Sequence, residues 1–384
     1  MLNNPIFDFS WVAWLLCALA AVQTTILSVT IYLHRAQAHR ALTVHPALAH
    51  FFRAWLWLTT GMSTRQWVAV HRKHHAKCET DQDPHSPQVQ GLARVFFAGA
   101  WLYAKQARDP ENLRRYAAGA PDDQLEHKLY MRWGTLGPVL LGLLNVVLWG
   151  WGPGLGMTAI QLVWIPLWAA GVINGLGHFV GYRNFHSADA STNLFPWGLW
   201  IGGEELHNNH HAHPTSARLS YHWWELDIGW GAIRALQALG LAHVKHAMQP
   251  PKLAGEHTCW EQTWNATTRF RLQVERWFTV VWLREVKRLA RSRQELQLWS
   301  KALELSGPQV EFGPDASGIT LFQTCEPPPA LVSLHAQWRQ LQALWSEPLS
   351  KEQALVALQH WVGAAQLSTS AGLRHLAWRM RRLA

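Results

Sequence analysis

Two long stretches without a single charged side chain set the terms for this fold. Residues 9 to 33, FSWVAWLLCALAAVQTTILSVTIYL, carry no Lys, Arg, Asp or Glu, and neither do residues 133 to 182. About 20 apolar residues cross a bilayer, so the first stretch permits one crossing and the second permits two. The turn between those two is expected at GWGPGLG, residues 150 to 156. Mean hydropathy is near zero, because a polar remainder is segregated from these stretches. All 34 Lys and Arg lie in residues 34 to 132 or 183 to 384. By the positive-inside rule both basic regions face the cytoplasm and the N-terminus faces out. The net charge of +9 then suits a surface held against anionic head groups, and nothing in the chain resembles a nucleic-acid module.

Histidines cluster beside these stretches. His34 and His39 stand in HRAQAHR, His71, His74 and His75 in HRKHH, and His207, His210 and His211 in HNNHH. On a helix, positions i, i+3 and i+4 share a face, so each HxxHH turns three imidazoles toward one point. The HxxxxH spacing suits ligands that approach neighbouring metals from a helix end. Eight imidazoles exceed what one ion holds, so two metals are implied. His178, at the end of the last apolar stretch, is a ninth candidate, and Asn174, one turn earlier, could hold a metal-bound water. A structural zinc would need only four ligands. Iron that activates dioxygen fits better, since attack on an unactivated C–H bond needs an oxidising centre that side chains cannot supply.

The boxes must meet on one side of the membrane, and this constrains the crossings. Only 31 residues separate His39 from His71, too few for two crossings and a turn, so residues 47 to 62 should stay in the interface with Arg53 snorkelling toward water. The crossings are expected at 10 to 33, 135 to 151 and 157 to 180. Residues 91 to 107 read as another surface-lying helix, and the N-terminal stretch as a retained anchor rather than a cleaved signal. After the third box an amphipathic pattern continues through His246. MQPPK, residues 248 to 252, punctuates the chain, and a helical pattern follows with a breaker at CEPPPAL, residues 325 to 331. The domains expected are therefore 1 to 248, carrying the boxes, and 249 to 384, a helical cytoplasmic extension. Cys17, Cys78, Cys259 and Cys325 form no CxxC pair and read as ordinary residues.

HRAQAHR, HRKHHAKCETDQDPH, NGLGH and HNNHH together resemble the membrane fatty acyl desaturases, in particular the Δ9 acyl-CoA (stearoyl-CoA) branch with its bacterial members. The likeness covers about residues 10 to 248. Together with the crossings counted above, it makes the chain an all-α integral membrane protein with about three transmembrane helices, interfacial helices and a cytoplasmic helical cap carrying a histidine-rich di-iron site. It makes His34, His39, His71, His74, His75, His178, His207, His210 and His211 iron ligands, with Asn174 binding through water. It also implies O2-dependent insertion of a cis double bond into a saturated acyl chain, carried as a CoA thioester or phospholipid and held in a hydrophobic tunnel. Asp81, Asp83, Glu204 and Glu205 sit beside the boxes and could orient imidazole N–H groups. The family commonly has four crossings, whereas 33 residues precede the first box here. No HPGG haem motif and no glycine-rich dinucleotide fingerprint occurs, so electrons are expected from a separate electron-transfer protein and its reductase. Hydroxylation of acyl chains or alkanes is the alternative within the same chemistry. A histidine-rich metal transporter or sensor is the alternative outside it, and would distribute ligands along the spans.

Overall fold

A computed structural model describes residues 10–185, 187–249, 253, 255–257, 259–301 and 327–383. Cys325 and parts of the two proline-rich breakers, 248–252 and 325–331, lie outside them. The chain divides into two compact units, Met1–Pro250 and Pro251–Ala384, and each is built mainly of helices.

In the first unit, α1 (Trp11–Ala38) opens on a Ser10 cap and runs for 28 residues. A second long apolar helix is α7 (Trp151–Leu176). These two are long and apolar enough to cross a membrane, while the intervening α6 (Leu136–Trp149) has 14 residues. Trp11, Leu16, Leu143 and Val163 are all more than half exposed on these helices. Apolar side chains left outward in such numbers are what lipid solvates.

The expected turn over 150 to 156 contracts to one residue. Gly150 takes φ +79 and α7 starts at the next residue. Pro153 is tolerated there because the first helical turn lacks N–H partners anyway. Gly154 lets the hairpin close, since a Cβ there would lie 2.5 Å from the Asn145 carbonyl oxygen. Asn145 donates to Thr158 Oγ1 at 3.0 Å across the same hairpin, and Trp14 Nε1 donates to the Pro153 carbonyl at 3.1 Å, fastening α1 to it.

Between the first two boxes lies α2 (Pro46–Thr60), capped by His45 and ended by left-handed Gly61. Fifteen residues rise only about 22 Å, less than a bilayer core. Arg53 on this helix does not snorkel. It is 4% exposed and bonded to both Asp123 oxygens at 2.6 and 2.8 Å and to Glu126 at 2.9 Å. The polar segment after residue 116 folds back over α2, and a guanidinium with carboxylates in reach is buried more cheaply than a lone one.

The box helices follow: α3 (Thr64–Lys77), started by a Ser63 cap, and α8 (His207–Ala212). Residues 91 to 107 do form a helix, α4 (Leu92–Ala107). It packs closely on α7, where Gly99 faces the Ala170 carbonyl, while Phe97 and Trp101 stay exposed. A short α5 (Pro110–Tyr116) packs against α3. The amphipathic pattern beyond the third box resolves into α9 (Ile228–Ala238) between short strands. β1 (Leu42–Val44) pairs antiparallel with β4 (Ala242–Val244), and β2 (Trp197–Gly198) pairs parallel with β3 (Leu226–Asp227). The core gathers Val22, Ile26, Val29, Ile31 and Leu33 of α1 with Leu56, Ile165, Ile173 and Ile201.

The second unit contains α10 (Trp260–Arg269), α11 (Arg271–Leu289), α12 (Arg293–Lys301), α13 (Pro329–Ser346), α14 (Lys351–Gln366) and α15 (Ala371–Met380). Its Leu and Trp stripes close over one another, with Phe278, Trp282, Trp338 and Trp361 buried. Arg379 lies 3.7 Å over the Trp277 ring.

Candidate metal centre

Local helix geometry delivers the imidazoles. In α3 the regular turn stacks His71 and His75 with His74 beside them, and α8 repeats the pattern with His207, His210 and His211. The first box works differently. The last turns of α1, Ser28–Ala38, are widened to a π-helix, and the His39 N–H bonds the His34 carbonyl at 3.1 Å. Five residues then make one turn, so His34 and His39 stand side by side with ring centroids 4.8 Å apart. The expectation that they serve neighbouring metals fails, because they share one cluster. The end of α7 is widened likewise over Pro166–Leu176, and this carries His178 into the site. Pi-turns of this sort recur at functional positions.

The nine histidines fall into two groups. His34, His39, His71, His75 and His210 bring one ring nitrogen each within 4.8 Å of one another. Their closest pairs are His39–His71 at 2.8 Å, His75–His210 at 2.9 Å and His34–His210 at 3.1 Å, all between Nε2 atoms. His74, His178 and His211 form the second group, together with Cys78. His207 joins it through Nε2, 2.9 Å from Nε2 of His178.

Carboxylates on the far side of the rings fix which nitrogen is bare. Nδ1 of His34 donates to Glu204 at 2.8 Å, His74 to Asp83 at 3.0 Å, His178 to Glu79 at 3.0 Å and His211 to Asp189 at 3.0 Å. A neutral imidazole that donates from Nδ1 keeps a lone pair on Nε2. Nε2 of His211 is buried with no partner. Burial pushes His39, His71, His75, His207 and His210 well below the ordinary histidine value, and His211 to about 3. Uncharged rings aiming lone pairs at each other across about 3 Å repel unless a cation lies between them, and carboxylate-backed histidines are the usual metal-ligand arrangement. The donor set therefore fits two metal ions. All-imidazole donors suit iron, zinc, copper or nickel alike.

Of the four carboxylates singled out by sequence, Asp83 and Glu204 do back imidazoles. Although burial works against its ionised form, the contact with His74 prevails and holds Asp83 below the usual carboxylate range. Asp81 is exposed, pointing to solvent in the loop after the second box. Glu205 is buried but serves backbone, accepting the N–H groups of Trp200, Ile201 and Gly203 at 2.7, 3.0 and 3.0 Å. Glu79 and Asp189 take the other two places and were missed. Glu79 reaches His178 only because its backbone is left-handed, φ +60, which no pattern announces.

A cavity of about 650 Å³ adjoins the clusters. His34, His71, His207 and Asn174 stand on its wall with Val29, Ile165, Ile173 and Ile201. His85 also lines it, its ring stacked on His74 at 4.5 Å and its Nε2 buried without a partner. A DPH tripeptide so close to the second box was the available signal.

The fatty acid desaturase family model matches residues 9–247. The chain belongs to this family. The desaturase is 34% identical over 246 residues to Delta-9 acyl-lipid desaturase 1 of Arabidopsis thaliana, covering 62% of this chain and 76% of that protein. It is 31% identical over 235 residues to the sn-1 stearoyl-lipid 9-desaturase of Anabaena variabilis, covering 61% and 84%. The enzyme of the same name from Synechocystis is 32% identical over 246 residues, covering 64% and 75%. These relatives are named for lipid-linked rather than CoA-linked acyl chains. The desaturase is thus a membrane oxidoreductase acting on fatty acyl lipids, with a histidine-rich region able to hold metal.

Proposed function

We propose that this desaturase inserts a cis double bond at Δ9 of a saturated acyl chain, with O2 as oxidant and two iron ions held by the nine histidines. The observation that carries the reading is the set of Nε2 lone pairs, four of them fixed by carboxylates, converging in two groups beside an apolar cavity. His34, His39, His71, His75 and His210 would hold one iron. His74, His178, His207 and His211 would hold the other, with Asn174 reaching it through a water.

Iron, when bound, supplies the oxidising power needed to break unactivated C–H bonds. The chain's own residues do the positioning. Glu79, Asp83, Asp189 and Glu204 keep the Nδ1 protons in place, so each ring presents its bare nitrogen inward. Val29, Ile165, Ile173 and Ile201 hold the acyl chain against the site and keep water out. The acyl chain gives up two hydrogens, O2 accepts them with two electrons and two protons from outside, and two waters leave. A separate electron-transfer protein and its reductase supply the electrons.

The names of the relatives support a membrane lipid as the acyl carrier. The distribution of Lys and Arg supports three crossings in an inner membrane with the boxes on the cytoplasmic side. Residues 1 to 248 then form the catalytic domain, and residues 249 to 384 a helical extension.

The test is expression in a host that lacks its own desaturase. Wild type should yield monounsaturated acyl lipid and purify with about two irons per chain. His74→Ala should lose both. Iron-loaded wild type that leaves the acyl profile unchanged, or forms only hydroxylated chains by mass spectrometry, would overturn the reading.

A further inference from the structure

The segment just before the third box, FPWGLWI at 195–201, does not lie level with the histidines. From Glu204, beside His34, it descends along α1. Thr30 Oγ1 donates to the Gly202 carbonyl at 3.3 Å, and Gln23 Nε2 to the Leu199 carbonyl at 3.3 Å. Gln23 precedes His34 by eleven positions, a drop of roughly 15 Å along the helix. The other long helix gives the same depth. Trp164, ten residues before Asn174, donates from Nε1 to the Trp200 carbonyl at 3.1 Å, and the Trp200 ring stacks on Trp168 with centroids 5.5 Å apart.

Several backbone groups of this segment and of the turn after it find partners within the protein. Gln23 and Trp164 take two carbonyls, and the buried Glu205 carboxylate takes three N–H groups. The Pro196 carbonyl accepts from Leu226 N at 2.7 Å. Its side chains do the opposite. Trp197 is 62% exposed, Trp200 46%, Leu199 43% and the adjoining Leu226 44%. Irregular backbone whose hydrogen bonds close on the protein, with large apolar side chains turned outward, is what hydrocarbon selects and water does not.

We propose that residues 196–200, with Leu226 beside them, form a re-entrant loop inserted into the bilayer at the boundary between head groups and acyl chains, so that lipid anchors the third histidine box. The partner is the membrane itself, and the lipid-facing surface of α1 and α7 continues onto the loop. This rests on α1 and α7 being spans.

The test places p-benzoylphenylalanine at Trp197, or in a second variant at Leu199, of the full-length chain in vesicles of radiolabelled phosphatidylcholine. Leu143, outward on α6, and Asp81, in the polar loop, serve as references. After illumination, lipid adduct at 197 and 199 should reach at least half the Leu143 yield. A yield below half, with Leu143 labelled, overturns the proposal alone. Failure to label Leu143 itself overturns the spanning reading of the hairpin that α6 forms with α7, and the proposal falls with it.

Discussion

At the scale of single residues, the site depends on groups that never face the cavity. Asp189 and Glu79 each accept an Nδ1 proton at 3.0 Å, which leaves His211 and His178 with bare Nε2 atoms. Asp189→Asn or Glu79→Gln keeps the shape but loses the charge-assisted bond, and the imidazole tautomer is no longer fixed. Loss of such partners costs about 10- to 100-fold in metal affinity. Chelator competition on the purified protein should show a drop of that order for both variants. Asp81→Asn should show none, since Asp81 points to solvent. Equal iron retention by all three would mean that the carboxylates do not hold the rings.

At the scale of elements, close backbone approach shapes the chamber. Gly99 of α4 faces α7 so closely that a Cβ would stand 2.7 Å from the Ala170 carbonyl. Gly99→Val must push the helices apart, and overpacking of this kind costs about 1–3 kcal/mol. Thermal unfolding in detergent should show the loss, while Gly152→Val, which would meet nothing within 4 Å, should unfold close to wild type. The same elements show what a sequence discloses. The HxxHH boxes were legible because a regular helix puts i, i+3 and i+4 on one face, although each box divides its three imidazoles between the two groups instead of aiming them at one point, and the apolar lengths announced the long helices. HxxxxH misled because its geometry depends on a π-turn, and turn width leaves no mark in hydrophobic periodicity. Arg53 misled too. Its partners, Asp123 and Glu126, lie about seventy residues away, and only the folded chain brings them together.

At the scale of the whole molecule, the imidazoles link folding to pH. Burial holds His39, His71, His75, His207 and His210 neutral in the folded chain and sets His211 at about 3. Unfolded, each titrates near 6.5. Below that value the unfolded chain binds more protons than the folded one, so stability rises with pH and is lost as pH falls. The metal-free protein should therefore keep its melting temperature between pH 8 and pH 7 and lose it steadily from about 6.5 downward, toward the His211 value. A melting temperature flat from pH 7 to pH 5 would mean that the rings are not buried neutral.

The division of the chain supports a final prediction. All nine histidines, the four backing carboxylates and every residue named on the cavity wall belong to the unit that ends at Pro250. The family match also stops at residue 247. A chain ended after Pro250 should retain its iron and its unsaturated acyl product, measured by metal analysis and lipid profiling in the desaturase-free host. If iron stays but product disappears, the second unit serves turnover rather than the metal site, and the electron donor becomes the first candidate for what it binds. If iron is lost as well, the first unit does not hold its metal alone.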